Sequence, residues 1–169
     1  MTIAEQNLPT DSLTAEAPQL RDLFLFSAGN RIFGVPADEV EGTAEGKAAT
    51  PLPQAPAPIL GVVYARGRML TVINPRAITG DDSATLMPLV PAIISLRGDE
   101  QLALAAESIA ETITVLSSDI VSTPDSTDKE PISAIAGILR HGGEEIIILD
   151  PPRLFDAAVQ RRDRRRRRF

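Results

Sequence analysis

The chain has 169 residues, 43% of them apolar and 24% charged, which is enough to bury one substantial core or two small ones and argues against overall disorder. No apolar run approaches the roughly 20 residues that span a bilayer. The first twenty residues lack the basic and apolar regions of a secretory signal, and the absence of cysteine excludes a disulfide framework and thiolate metal sites. A cytoplasmic location follows as the expectation. The net charge of −6 hides an asymmetry: residues 161–169, RRDRRRRRF, carry seven arginines and one aspartate, which leaves residues 1–160 at −12.

In chain order, residues 1–20 mix acidic, Thr, Pro and Ala residues without an apolar period and read as a disordered leader. LFLFSAGNRIFGV then gives two short apolar strands around Ala28-Gly29-Asn30, a hairpin signal because Gly and Asn tolerate the positive φ of tight turns. ADEVEG reads as one helical turn. TPLPQAPAP places four prolines in nine residues, a density that prevents helix and central strand alike and predicts an extended surface loop. GVVYARGRMLTVINP, Gly61 to Pro75, is a second hairpin with Arg66 and Arg68 at its tip. After the polar connection GDDSATLMPLVP the same order of elements starts again with AIISLRGDEQLALAAESI.

The restart is an internal repeat. An offset of 76 aligns Ile59 with Ile135, Gly61 with Gly137, Gly67 with Gly143, Asn74 with Asp150 and Pro75 with Pro151. An offset of 69 aligns Gly29 with Gly98, Asn30 with Asp99, Phe33 with Leu102, Asp38 with Glu107 and Val40 with Ile109. The matched residues have backbone roles: glycine before a strand permits a bend or close approach, glycine in the tip permits the turn, and Asn/Asp-Pro ends the second strand. Each half then holds about five short strands and a helical turn, enough to roll a small sheet into a barrel but marginal alone. The halves are therefore expected to pack together with a groove between them. The expected core is Phe24, Phe26, Ile32, Phe33, Val35, Val62, Val72, Ile73, Leu102, Leu104, Ile147 and Leu149. Val40, Met69 and Leu70 fit either the core or the groove.

The second hairpin with its prolines, the preceding IFGVPADEV, and the later QLALAAESIAETITVLSSDIVSTP and IAGILRHGGEEIIILDPPRLF resemble, in this order, the CheW-like family of chemotaxis coupling proteins. The family pattern at the hairpin is PxxPxxxxGVxNxRGxxxPVxDL. The resemblance covers about Leu23 to Phe155. It implies an all-β fold with short helices: two packed five-stranded SH3-like β-barrel subdomains, the first at about 21–80, a connection at about 81–91 and the second at about 92–156. A basic tail, 157–169, follows. It also implies a non-enzymatic adaptor joining the cytoplasmic tip of chemoreceptors to the regulatory domain of a CheA-type histidine kinase. By the same match Arg66 and Val40 are the receptor-side contacts, on a hairpin shaped by Gly61 and Gly67. Departures from the pattern are Thr71 for proline, Asn74 for aspartate and Pro75 for leucine. Gly42 stands where an acidic residue is common, beside Glu41, and Ala103 and Glu107 replace a typical Gly and Asp.

From the residues themselves, Arg66 and Arg68 are either a fork of donors for a partner or solvated turn charges that discourage edge pairing. The repeat favours the first reading for Arg66, because the second copy has Gly142 there. Arg140 and His141 on the second tip read more simply as exposed polar residues, and Asp38, Glu39 and Glu41 as a solvated face. With one histidine, no cysteine and no carboxylate cluster at ligand spacing, no catalytic residue, metal site or cofactor is assigned. The arginine tail, with Arg164, Arg165, Arg166, Arg167 and Arg168 as its densest run, is expected to be disordered or a frayed continuation of the last helix. It suits capture of an anionic partner. The rival reading is a small β-barrel module binding nucleic acid through that tail, against which stand the acidic body and the shortage of stacking aromatics.

Overall fold

The computed structural model describes residues 17–79, 89–98, 100–122 and 134–167, with the backbone alone for residues 47, 89 and 160–167. The apolar alternations form strands β1 (Leu20–Ala28), β2 (Arg31–Pro36), β3 (Val40–Ala48), β4 (Ile59–Ala65) and β5 (Arg68–Ile73) in the first half. The second half gives β6 (Leu89–Leu96), β7 (Leu102–Ala106), β8 (Ser108–Leu116), β9 (Ile120–Ser122), β10 (Ile135–His141) and β11 (Glu144–Leu149). Single 3₁₀ turns, Ala37–Glu39 and Ser117–Asp119, precede β3 and β9. The proline segment between β3 and β4 forms no strand and is largely exposed, because proline supplies no ladder donor.

The strands form two sheets, ordered β8-β1-β2-β11-β10-β9 and β3-β6-β7-β5-β4. Both sheets draw on both halves, which corrects the expectation of one barrel at 21–80 and the other at 92–156. Each half keeps its later strands at home and gives its opening hairpin to the other: β2 pairs parallel with β11, and β7 pairs parallel with β5. A parallel partner always requires a long connection, and a repeated sequence does not say which copy supplies it. The exchange preserves the repeat in register. Ile147↔Phe33 and Ile148↔Gly34 in one sheet are the counterparts of Thr71↔Leu102 and Val72↔Ala103 in the other. The sixth strand, β9, has its own counterpart in an isolated bridge between Thr50 and Val62. Of the expected connection 81–91, residues 81–88 lie outside the described residues, and β6 already begins at Leu89.

Three apolar clusters follow from this arrangement. One lies inside the five-stranded sheet, around Leu70, Val72, Ile93 and Ala103. A second lies inside the six-stranded sheet, around Leu23, Leu139, Ile146 and Ile148. The largest joins them through Phe26, Phe33, Ile73, Ile94, Leu104 and Leu149, with Phe26 and Phe33 stacked at a centroid distance of 5.6 Å. The exchanged hairpins supply both faces of this shared core, so separating the subdomains exposes the most apolar area in the molecule. Of the expected core residues, nine are buried, while Phe24, Ile32 and Val62 are half-buried. Leu70 belongs to the core and Met69 to the outer surface.

Both second hairpins end in a helix. Asn74 closes β5, and its side-chain oxygen accepts from Arg76 N at 3.1 Å, capping the short helix Pro75–Ile78. Pro75 occupies the first position, where its missing N–H costs nothing. After β11 the same Asx-Pro step starts the C-terminal helix Pro151–Arg167. Leu154, Ala157 and Ala158 of that helix are buried. The residues at which the sequence places the start of the tail thus anchor the helix, and its backbone continues to Arg167. The side chains of Arg164 to Arg167, and all of Arg168, lie outside the described residues.

Candidate functional site

The β4–β5 hairpin is built on two glycines with different tasks. Gly61 has φ +147, and a Cβ there would fall 2.2 Å from the Thr50 carbonyl oxygen. That clearance lets the proline segment dock on β4 through Thr50 N donating to Val62 O at 2.8 Å and Val62 N to Thr50 O at 2.9 Å. Gly67, at φ +78, shares the two-residue tip with Arg66, at φ +54. Two consecutive positive φ values are the pattern of a type I′ turn, whose twist matches that of the flanking strands. The second copy, Gly142 at φ +61 and Gly143 at φ +82, has the same tip made entirely of glycine.

Arg66 therefore sits in a left-handed conformation that costs a side-chain-bearing residue about 1–2 kcal/mol, at a position where the fold accepts glycine. Its guanidinium lies over β3: a Cβ on Gly42 would meet Arg66 Nη1 at 2.3 Å and Cζ at 2.6 Å. Among the described residues Arg66 makes no hydrogen bond or ion pair. Its guanidinium is thus packed on a glycine, with no partner among the described residues. Arg68 differs, because its Nη2 pairs with Glu41 Oε2 and both side chains are about one-third exposed. The pairing depends on a bulge in β3: Val40 faces Leu96 and Gly42 faces Ser95 across the sheet, so Glu41 is the extra residue. Bulges re-aim side chains in this way. Glu41 is therefore not part of a solvated acidic face, as the sequence suggests; of its neighbours, Asp38 is exposed and Glu39 half-buried.

Val40 is half-buried and packs against the shared core. The structure brings Arg66 to Gly42, two residues along β3 from Val40. The hairpin's outer face adds Tyr64, which the sequence does not single out, and places Met69, which by sequence fits either the core or the groove, on the surface. Tyr64 and Met69 are cross-strand partners, 64% and 52% exposed, just below the tip. Their outward direction follows from the alternation of β4 and β5 once Val63, Ala65 and Leu70 are seen to point inward. On the second tip Arg140 faces Glu145 and His141 faces Glu144 across the strands, all exposed. Acidic residues thus oppose Arg140 and His141 across the second tip, unlike at the arginine tip. Among the described residues no three of His, Cys, Asp and Glu gather where they could hold a metal ion. No helix there is long and apolar enough to cross a membrane.

Comparison with known proteins agrees with this fold. The family model for the CheW-like domain matches residues 22–159. The chain is similar to Protein FrzA of Myxococcus xanthus, 25% identical over 154 residues that cover 90% of this chain and 96% of that protein. It is also similar to the chemotaxis protein CheW of Rhizobium meliloti, 28% identical over 80% of this chain and 87% of the other. In fold it resembles the scaffolding protein TtCheW from Thermoanaerobacter tengcongensis, with a TM-score of 0.63 at 21% identity, covering 78% of this chain and 89% of that one. The two sheets correspond to the two SH3-like β subdomains of such a scaffold. Members of this family are non-catalytic adaptors. From Asp22 to Val159 the chain belongs to the CheW-like domain family, and it is a CheW-type chemotaxis coupling protein.

Proposed function

We propose that this coupling protein works in the cytoplasm by joining the cytoplasmic tip of a chemoreceptor to the regulatory domain of a CheA-type histidine kinase. Arg66 and Val40 face the receptor helix in this reading. The observation that carries it is Arg66, which is held in a costly backbone conformation with no partner inside the described chain. A guanidinium fork presented by a rigid two-residue turn can engage carboxylates or carbonyls along a helix with little further loss of entropy. Tyr64 and Met69 beside it supply apolar area at the same contact.

The mechanism makes and breaks no covalent bond. An adaptor of this kind transmits a signal only if its contact energies differ between the kinase's on and off states, so that it shifts their populations. The exchanged hairpins suit that task, because the shared core binds the two subdomains into one unit that can hold two partners at fixed geometry. The arginine-rich end, with Arg164, Arg165, Arg166, Arg167 and Arg168, adds a contact with an anionic surface, separate from the sheets.

The test is titration against the regulatory domain of the organism's own CheA-type kinase at physiological salt, with and without residues 161–169. Binding that survives removal of the arginines is expected, since contacts through a folded surface depend weakly on salt. Absence of binding in both forms would overturn the kinase half of the reading. Affinity for nucleic acid that vanishes with the arginines, accompanied by no kinase binding, would replace it with the nucleic-acid module.

A further inference from the structure

The repeat places two equivalent notches on the molecule, each between an opening-hairpin turn and the Asx-Pro start of a helix. At the first, the turn is Gly29 and the helix start is Asn74, Pro75 and Arg76. A Cβ on Gly29 would lie 2.6 Å from Arg76 Nε and 2.8 Å from its Cζ, so the Arg76 side chain fills the notch. Beside it lies a separate cavity of about 30 Å³, lined by Asn74, Arg76 and Glu107 among others. At the second, Gly98 takes the place of Gly29 and Pro152 the place of Arg76. Nothing lies within 4 Å of a Cβ built on Gly98. The notch is open, about 360 Å³, and lined by Glu39, Arg97, Gly98, Glu100, Pro151 and Pro152 in part.

The two notches differ in that the first holds Arg76 where the second has Pro152. The turn and helix that bracket an arginine in the first half persist in the second, with the arginine missing. Glu39 and Glu100 line the notch and make no ion pair among the described residues; by the offset of 69 the first notch has Ser108 and Arg31 in their places. Asp38, the repeat partner of Glu107, is adjacent to Glu39. Asp150, at the start of the helix, is already paired with Arg153, whose Nε lies 3.5 Å from its Oδ2, so the acidic charge of the notch comes from Glu39 and Glu100. Arg97 is the one positive side chain on the rim.

We infer that this open notch receives an arginine of a second copy of the chain, from its C-terminal run Arg164 to Arg168. The chain itself supplies the complementary charge, +6 in residues 161–169 against −12 in the rest. It cannot use that charge on its own notch. The C-terminal helix begins at the notch wall, at Pro151, and its backbone stays helical to Arg167. At 1.5 Å per residue, Arg161 lies roughly 14 Å and Arg167 roughly 22 Å along the axis from Pro152, directed away. Leu154, Ala157 and Ala158 pin the first turns to the core. The contact is therefore intermolecular and heterologous, tail to notch, and propagates as a chain or closes as a ring. It does not depend on the receptor and kinase contacts, and its test involves neither partner.

The experiment is sedimentation velocity of the full chain over a wide concentration range at low and physiological salt, compared with three variants. Pro152→Arg rebuilds the first notch in the second and fills it from within. Glu39→Lys with Glu100→Lys reverses the rim, and a third variant carries glutamine at Arg164 to Arg168. Self-association at least tenfold weaker in each variant is expected, as is weakening of the wild type by salt. An equimolar mixture of the rim variant, which keeps its arginines, and the glutamine variant, which keeps its notch, is expected to associate where each alone does not. The rim pair keeps the inference testable should Pro152→Arg fail to fold. A wild-type chain that stays monomeric throughout, association undiminished by Pro152→Arg or by the rim reversal, or no complementation in the mixture would each overturn it.

Discussion

The tips of the two late hairpins have the same backbone and different chemistry. Arg66-Gly67 and Gly142-Gly143 both place two residues at positive φ between antiparallel strands of matching register. One tip uses glycine twice, the cheapest solution for that backbone. The other accepts the cost of an arginine whose guanidinium is unpaired among the described residues. Folding alone favours the glycine tip, so the arginine tip points to a requirement outside the fold. A repeat within one chain serves here as its own control, since both copies share solvent, core and length.

The widest expected effect concerns the glycines that both hairpins need. Gly61→Ala places a Cβ 2.2 Å from the Thr50 carbonyl oxygen at φ +147, and is expected to lower unfolding free energy by about 3 kcal/mol in chemical denaturation. Gly137→Ala meets Val121 O and Ile120 Cγ2 at 2.7 Å without the positive φ, and so is expected to cost less. Equal and negligible losses would show that close approach is not what fixes these glycines. Next comes the pair of exchanges at the tips. Arg66→Gly is expected to leave stability unchanged or raise it by about 0.5 kcal/mol, while Gly142→Arg lowers it by about 1 kcal/mol; thermal melts of the two variants check the sign.

Smaller effects sharpen the contrast between the two arginines of the first tip. Gly42→Ala displaces only the flexible end of Arg66, so unfolding free energy is expected to change by less than about 0.5 kcal/mol. Receptor affinity, measured by calorimetry, should nevertheless fall severalfold as the guanidinium leaves its seat. Glu41→Gln breaks the pair with Arg68 and is expected to cost about 0.5 kcal/mol of stability, the usual scale for a partly exposed pair. Its loss should shrink in high salt. A stability loss from Glu41→Gln that is unchanged in high salt would remove the ion pair from the account.

What the sequence could show tracks what is local. Gly29, Gly61, Gly67 and the Asx-Pro steps at Asn74 and Asp150 stood out because each answers a demand of the adjacent backbone. The repeat and its offsets were legible for the same reason. The exchange of opening hairpins was not, because the parallel pairing of β2 with β11 leaves no mark on either strand alone. The Glu41–Arg68 pair was hidden by a single extra residue in β3, which moves one side chain out of the alternation on which a sequence reading relies. Leu70 and Met69, adjacent and both apolar, could be sorted only once the inward face of β5 was known. At the site, Arg66 and Val40 follow from the family resemblance. Gly42 as the seat of the arginine, and Tyr64 and Met69 as its apolar flank, emerged from the fold.

The central claim is that Arg66 serves a partner and not the fold. It is tested most directly by titrating wild type and Arg66→Gly against the cytoplasmic tip of the organism's chemoreceptor at physiological salt, alongside the unfolding free energy of each. At least a tenfold loss of affinity, about 1.4 kcal/mol, is expected in a variant no less stable than wild type. Equal affinity for both proteins would contradict it, and would return Arg66 to a solvated turn residue.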